Sequence, residues 1–313
     1  PTHPFTEKEM ESIVTSAYEA HGGQGNKYGC SDPVMDEYCK NTCRLYRNKR
    51  SQTMMDASDM ENNLIEFYKS DVSPLNIGHL YGGDFPIYPG EVVILQAPPK
   101  SMKTMLLQNW MCAFKVPTYF LEMEMSPRQI WSRFVQIENG WTEEQLKEHY
   151  SMHKNGQDEK FKWLQVNYSP ISARDLERTI LTLPSKPRVV VVDHMGLFQS
   201  NLKDPNMKVE EASQAMMELA VKHNLIVFAV SEINKSSMRE GMDIASMKGS
   251  FRTAYNANKL LSLIPRRSRV TGELEALDLR CEANRERENL NVRLTLDNVR
   301  ITHETFTDAQ VNG

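Results

Sequence analysis

The sequence predicts an α/β fold: a largely parallel central sheet flanked by helices, completed by antiparallel C-terminal strands and preceded by a small helical, cysteine-containing region. Three observations carry that expectation. From residue 73 onward, short β-branched runs alternate with segments of helical periodicity, the pattern of strands joined by crossover helices. One of those runs, Val92-Val93-Ile94-Leu95, leads directly into a proline-containing loop and then a helical pattern. After about residue 257 the helical segments stop and strands follow one another across short polar turns.

Taken in order, residues 6–20 read as an amphipathic helix. Thr6 and Glu9 form a capping box, and Met10, Ile13, Val14, Ala17 and Tyr18 recur at helical spacing. A glycine-rich loop at 22–29 is followed by Cys30, Cys39 and Cys43 and a basic run from Arg44 to Arg50. Met55, Met60, Leu64 and Phe67 mark another helix, which leads into the Gly/Pro-rich stretch 73–90. The domain boundary is therefore placed at residue 72, with a small N-terminal region and linker over 1–72 and a nucleotide-binding domain over 73–313. In the second domain, strands are expected at 91–96, 117–123, 163–168, 188–193 and 225–231. Helices near 103–115, 127–138, 142–153, 173–183 and 207–223 separate them. Strands at 259–264, 274–284 and 291–302 complete the sheet.

With 313 residues the chain can bury a sizeable core and a smaller second one. A hydrophobic content of 40% and a charged content of 25% are ordinary for a globular protein. No apolar run approaches the roughly 20 residues of a membrane span, and the first residues lack the basic and apolar regions of a signal peptide. Those features read as a cytoplasmic protein (host cytoplasm if of phage origin) with no membrane partner. Five cysteines, an odd number, argue against a disulfide scaffold. A formal net charge of −4 means that any contact with nucleic acid must come from local basic patches, which weighs against a protein that coats DNA.

The chemistry concentrates at the ends of the expected strands. Ala97-Pro98-Pro99-Lys100-Ser101-Met102-Lys103-Thr104 matches the G-x-x-x-x-G-K-[ST] phosphate loop except that Ala97 and Met102 replace its glycines. Strand, loop and helix N-terminus in that order cradle phosphates with backbone N–H groups. Lys103 then reaches the β/γ-phosphates and Thr104 sits on Mg²⁺. Met102 stands where close backbone approach and unusual dihedrals are usual. The plain alternative is a buried strand ending in an ordinary surface loop. Val189-Val190-Val191-Val192-Asp193 is a buried strand ending in a carboxylate able to order a metal-bound water. In Leu121-Glu122-Met123-Glu124-Met125-Ser126, either carboxylate can polarise an attacking water, and spacing does not choose between them. Ser231-Glu232-Ile233-Asn234-Lys235 ends another strand with groups suited to sensing the γ-phosphate. Arg285 and Arg287 are arginine-finger candidates.

Over residues 75–302 these motifs, in this order, resemble the RecA-fold ATPase domain of DnaB-type replicative helicases, phage members included. The family's Ala-Arg-Pro-Ser-Met-Gly-Lys-Thr loop is similar to Ala97–Thr104, and its Ser-Leu-Glu-Met-Ser motif resembles 123–126, which favours Glu124 as the catalytic carboxylate. Its Walker B Asp-Tyr-Leu resembles 193–195. Its Ser-Gln-Leu-Asn-Arg motif resembles 231–235, with Glu232 in place of the sensor glutamine, and its Lys-Gln-Arg finger motif resembles 285–287. The family's Gly-Ser-Ile-Glu-Gln-Asp-Ala-Asp segment resembles 249–258. Lys100-Ser101-Met102-Lys103-Thr104 is also similar to the loop of plasmid RepA-type helicases, in which a bulky residue precedes the lysine. The resemblance implies ATP and Mg²⁺, held by 97–104 and Glu232, with Thr104 and Asp193 on the metal. It further implies a hexameric ring on single-stranded DNA and a separately encoded primase partner. DNA would meet Lys203 and Lys208 in the segment 195–208, and Lys235, Arg239, Lys248 and Arg252 in 235–252. Cys30, Cys39 and Cys43, with His21 as a candidate fourth ligand, either hold Zn²⁺ or an iron–sulfur cluster or pack as reduced thiols. Two other functions fit the same motifs: an ATP-binding accessory protein with weak hydrolysis, and a recombinase-like DNA-dependent ATPase.

Overall fold

The β-branched runs form strands because each can be buried on both faces. The computed structural model describes residues 57–69, 73–153, 155–233, 256–268, 270–286 and 289–303. The chain divides into two units, Pro1–Asp71 and Val72–Gly313. In the first, helix α1 spans Ala57–Lys69 and exposes Met60, Leu64 and Ile65. The expected helix at 6–20 lies outside the described residues.

In the second unit, β1 (Leu75–Asn76) and β2 (Pro86–Ile87) form a short antiparallel pair. The main sheet takes in β3 (Val92–Ala97), β4 (Thr118–Glu122), β5 (Leu164–Asn167), β6 (Val189–Asp193) and β7 (Ile226–Glu232). It continues through β8 (Lys259–Arg267), β9 (Leu274–Asn284), β10 (Asn291–Asp297) and β11 (Arg300–His303). The strand order is β11-β10-β9-β8-β3-β7-β6-β4-β5. The pairings from β8 through β5 are parallel, and those of β8–β9, β9–β10 and β10–β11 are antiparallel.

Parallel strands need crossovers, and these are helices: α2 (Lys103–Phe114), α3 (Pro127–Asn139), α4 (Glu143–Ser151), α5 (Ala173–Leu181) and α6 (Pro205–His223). Strand alternation sorts the core into two layers. Val93 and Leu95 of β3 face Leu106, Trp110, Ile130 and Phe134 of α2 and α3. Val92 and Ile94 face Leu176, Ile180, Ala212 and Met216 of α5 and α6. Four of the five helices open on a side-chain cap: Ser126 and Thr142 in capping boxes, then Ser172 and Asp204. Among the described residues no helix is long and apolar enough to cross a membrane.

Two expectations are corrected here. Residues 291–302 are not one strand but the β10–β11 hairpin, turned at Asn298 with a left-handed φ of 54°. Asparagine tolerates that conformation, and no glycine or proline advertises the turn. Helix α6 begins at Pro205, because Asp204 accepts the Asn206 N–H and proline suits the first helical position. Lys208 therefore lies on a helix rather than in a loop.

One polar cluster stiffens the antiparallel half. Asp278, buried on β9, accepts from Arg266 Nε at 2.7 Å and Arg293 Nε at 3.0 Å, with Arg280 at 3.4 Å. Burial pushes its carboxyl up, but the bonds from Arg266 and Arg293 outweigh that and hold it below the ordinary value. A depressed carboxylate contributes stability above its unfolded pKa of about 3.9 and loses it as pH falls through the folded value. Asp278→Asn is expected to cost about 1–2 kcal/mol at pH 7, because the arginines it leaves behind are 40–50% exposed to water. The gap in melting temperature between variant and wild type should hold down to about pH 4 and narrow below it. A gap that widened with acid would contradict this account.

Candidate nucleotide-binding and hydrolysis site

The functional side chains converge because register levels the strand ends. Ala97 pairs with Glu232 across β3 and β7, and Glu122 pairs with Asp193 across β4 and β6. The C-terminal edge of the parallel sheet thus carries the loop 98–102, Glu122, Asp193 and Glu232 side by side, where α/β sheets bind ligands.

The loop is shaped like a phosphate cradle although it lacks both glycines. Lys100 and Met102 take left-handed backbone conformations, with φ of 60° and 65°. Each costs a non-glycine residue roughly 1–2 kcal/mol. Met102 fits because its side chain, 39% exposed, points outward rather than into the loop. Ser101, buried, donates its hydroxyl to the Pro98 carbonyl and braces the turn. Pro98 is buried, whereas Pro99 and Lys100 are exposed. The N-terminus of α2 has no side-chain cap and no acidic residue in its first turn. Its opening N–H groups and the positive end of its dipole face the same loop, an arrangement that fits an anion.

Lys103 is buried and folded back. Its Nζ donates to the carbonyls of Pro98 at 2.9 Å and Ala97 at 3.4 Å and to Glu232 Oε1 at 3.2 Å. Those three acceptors match the three donors of an ammonium group. Thr104 donates its hydroxyl to Asp193 Oδ2. Asp193 is buried, and that burial raises its carboxyl above the ordinary value against the lowering effect of Thr104. The Asp193–His194 peptide bond is cis.

The two glutamates of the second motif part company. Glu122 is 0% exposed, and Glu124 is exposed. Burial, then the neighbouring Asp193, pushes the Glu122 carboxyl up to about 7. Its Oε1 accepts the N–H groups of Glu124 and Met125, while its Oε2 is buried without a hydrogen-bond partner. Glu122, central in the geometry, was not singled out over Glu124 by the motif. The only signal for it was an acidic residue closing an apolar strand.

A magnesium ion fits this corner: the Thr104 hydroxyl and the Asp193 carboxylate, already in contact, are the hard oxygen donors it takes, with water completing the shell. Among the described residues no cluster of three or more His, Cys, Asp or Glu side chains could hold a metal by itself. Cys30, Cys39, Cys43 and His21, the candidate zinc or iron–sulfur ligands, lie outside the described residues.

Arg285 is not at this edge. Asn284 pairs with Lys259, which pairs in turn with Val93 near the start of β3. Arg285 follows, exposed, at the opposite end of the sheet, level with Val92 and roughly 16 Å along the strand direction from Ala97 at about 3.3 Å per residue. The turn that carries it is tied to the core by Lys259, fully buried. The Lys259 Nζ donates to Glu91 Oε1 and Oε2 at 3.0 and 2.9 Å and to Glu286 at 3.4 Å. Lys203 is exposed in the segment after β6, on the phosphate-loop edge, and Lys208 is half-buried in the first turn of α6. Lys235, Arg239, Lys248, Arg252 and Arg287 lie outside the described residues.

Residues 85–247, more than half of the chain, match the model of the DnaB-like helicase C-terminal domain. Among solved structures, an ATPase domain superposes with a TM-score of 0.63 at 12% identity, covering 80% of this chain and 100% of that one. A DnaB-like replicative helicase, determined to show its interactions with primase, gives 0.60 at 13% identity, covering 84% and 71%. A KaiC-like protein from the hyperthermophilic archaeon Pyrococcus horikoshii gives 0.50 at 14% identity, covering 73% and 95%. At these identities the structural likenesses speak for the RecA-like fold alone. No curated protein sequence matches the chain significantly. A parallel sheet bearing this loop, Asp193 and the paired glutamates at one edge agrees with the match of the family model: the chain belongs to the DnaB-like helicase C-terminal domain family.

Proposed function

We propose that the Val72–Gly313 unit is the motor of an ATP-driven replicative DNA helicase that works as a homo-oligomeric ring, a hexamer by analogy with the family. The observation that carries this reading is the phosphate loop, Asp193 and Glu124 gathered at one edge of the sheet, with Arg285, read here as the finger, at the other. Lys103, Thr104, Asp193 and Glu124 stand at the C-terminal edge and Arg285 at the N-terminal edge, so with Arg285 as the finger a complete site needs a second copy. That geometry supports hydrolysis between subunits and gives turnover in one protomer a direct route to movement in the next.

The loop N–H groups of 98–104 and the Lys103 ammonium bind the phosphates of ATP. Thr104 and Asp193 hold Mg²⁺, which when bound neutralises phosphate charge. Glu124, exposed beside the buried pair, orients the attacking water and takes its proton on the carboxylate. Arg285 of an adjacent copy, with Arg287, meets the charge that develops on the transferred phosphoryl group. Lys203 and Lys208, with Lys235, Arg239, Lys248 and Arg252, contact the backbone of single-stranded DNA without reading its sequence. The N-terminal region 1–72 and a separately encoded primase complete the working assembly, located in the cytoplasm.

The Lys103–Glu232 pair favours a second reading, an ATP-binding accessory protein with weak turnover. To grip phosphate, Lys103 must trade its bond to Glu232, and a carboxylate left beside the phosphates repels them. ATP hydrolysis with and without single-stranded DNA separates the two readings. A helicase motor shows DNA-stimulated turnover that falls about 100-fold or more in Lys103→Ala. Nucleotide binding with negligible turnover in wild type would transfer the case to the accessory reading. In either case Glu232→Gln should tighten nucleotide binding, measured by titration with a fluorescent ADP analogue. Lys103 is buried but Glu232 is 37% exposed, so the pair is worth about 1 kcal/mol, which corresponds to a gain of roughly three- to tenfold. Weaker binding in that variant would make Glu232 a ligand of the nucleotide complex instead of a competitor for Lys103.

A further inference from the structure

We propose that Glu122 is a positioning residue for the hydrolysis step: its buried carboxyl clasps the backbone that carries Glu124 and so aims the Glu124 carboxylate. The inference rests on the hydrolase reading above and deepens it. Strand β4 stops at Glu122, and only four residues separate it from the first residue of α3, Pro127. Every N–H in that bridge is taken. Met123 donates to the Asp193 carbonyl at 3.0 Å, Glu124 and Met125 donate to Glu122 Oε1 at 2.8 and 3.0 Å, and Ser126 donates to Gln129 Oε1 at 3.1 Å. The backbone of Glu124 is therefore tied on one side to the Asp193 strand and on the other to the capping box of α3, with the Glu122 carboxyl as the middle fastening. The Glu124 side chain stays exposed.

Glu122 is poorly suited to act on water itself. Its Oε1 is occupied by two backbone donors, and its Oε2 is shielded from solvent. An acid burying one unpartnered oxygen is costly to keep for packing alone, and such groups collect where geometry serves chemistry. What it secures is alignment, because a displacement of about 1 Å in a catalytic group can cost on the order of 100-fold in rate.

The test compares Glu122→Gln, Glu122→Ala and Glu124→Gln in the full chain. Glutamine keeps the acceptor oxygen, and alanine removes it. Hydrogen exchange should find the amides of Glu124 and Met125 protected in wild type and in Glu122→Gln and fast in Glu122→Ala. DNA-stimulated kcat should stay within about threefold of wild type in Glu122→Gln and fall about 100-fold in Glu122→Ala, with KM unchanged in both. Glu124→Gln should lose turnover while its amides remain protected. If Glu122→Ala does not fold, as judged by nucleotide affinity and melting temperature, the two glutamine variants decide the matter. A loss in Glu122→Gln as deep as that expected of Glu124→Gln, with Glu124→Gln itself near wild type, would make Glu122 the base and overturn the proposal. Unchanged amide protection in a folded Glu122→Ala would overturn the clasp. A wild type that binds nucleotide without turning it over would instead overturn the hydrolase reading, and the amide exchange would still report on the clasp.

Discussion

The register of four parallel strands is the constraint on which the rest depends. β3, β7, β6 and β4 are adjacent and paired so that Ala97 sits level with Glu232 and Glu122 level with Asp193. Because side chains alternate with a period of two, a slip of one residue in any pairing would move that strand's buried set to the other layer of the core. Both layers are fully packed, so the register is strongly held. The apolar faces that specify the sheet therefore also level the carboxylates and the phosphate loop at one edge. Core packing and site geometry are two consequences of one pairing scheme.

That edge concentrates charge in a way a core does not need. Asp193 and Glu122 are adjacent buried acids, and Lys103 is a buried cation whose partners are two carbonyls and one half-exposed carboxylate. Glu232 holds the place beside Lys103 for which a phosphate would compete. Burial of unlike groups is stabilised only when each is paired, and the Glu122 Oε2 atom is the one left unpaired at this edge. Two buried charges elsewhere in the same sheet are matched. Asp278 is surrounded by Arg266, Arg280 and Arg293, and Lys259 is gripped by Glu91 and Glu286. Of these side chains Glu122 alone keeps an orphaned atom, at the edge where ligand would bind; Arg188 Nε, just before β6 at the other end, is also buried without a partner.

Most of the sheet was legible in the sequence, because buried parallel strands are continuous β-branched runs and their crossovers carry helical periodicity. The hairpin within 291–302 was not, since Asn298 is a weak turn signal inside an otherwise alternating stretch. The start of α6 was carried by Asp204-Pro205, a cap signal that the apolar pattern alone passes over. The phosphate loop was legible as spacing, yet its two left-handed residues, Lys100 and Met102, are the ones that propensity disfavours there. At the second motif spacing could not choose between Glu122 and Glu124, and the structure separates them. β4 ends at Glu122, which is buried, and Glu124 lies beyond the strand, exposed. The burial of Lys259 was likewise invisible, because its partners Glu91 and Glu286 are distant in sequence and meet it only through pairing.

The opposite ends of the sheet complete the argument about assembly. A protomer that kept its arginine at its own phosphate loop could hydrolyse alone, and nothing would tie its chemistry to a neighbour. Here Arg285 follows a strand that runs antiparallel to β8, so the chain direction itself carries it away from Ala97. The Lys259–Glu286 pair then fastens that turn to the base of β3 through Glu91, the residue just before the strand. A shift of β3 against β8 would be felt at both ends at once: at the loop that begins after Ala97, and at the turn that bears Arg285. On the proposed reading, a sheet that carried half of a site at each end would let one copy sense the state of the next. Coupling would then run through the strands themselves and not through any one loop.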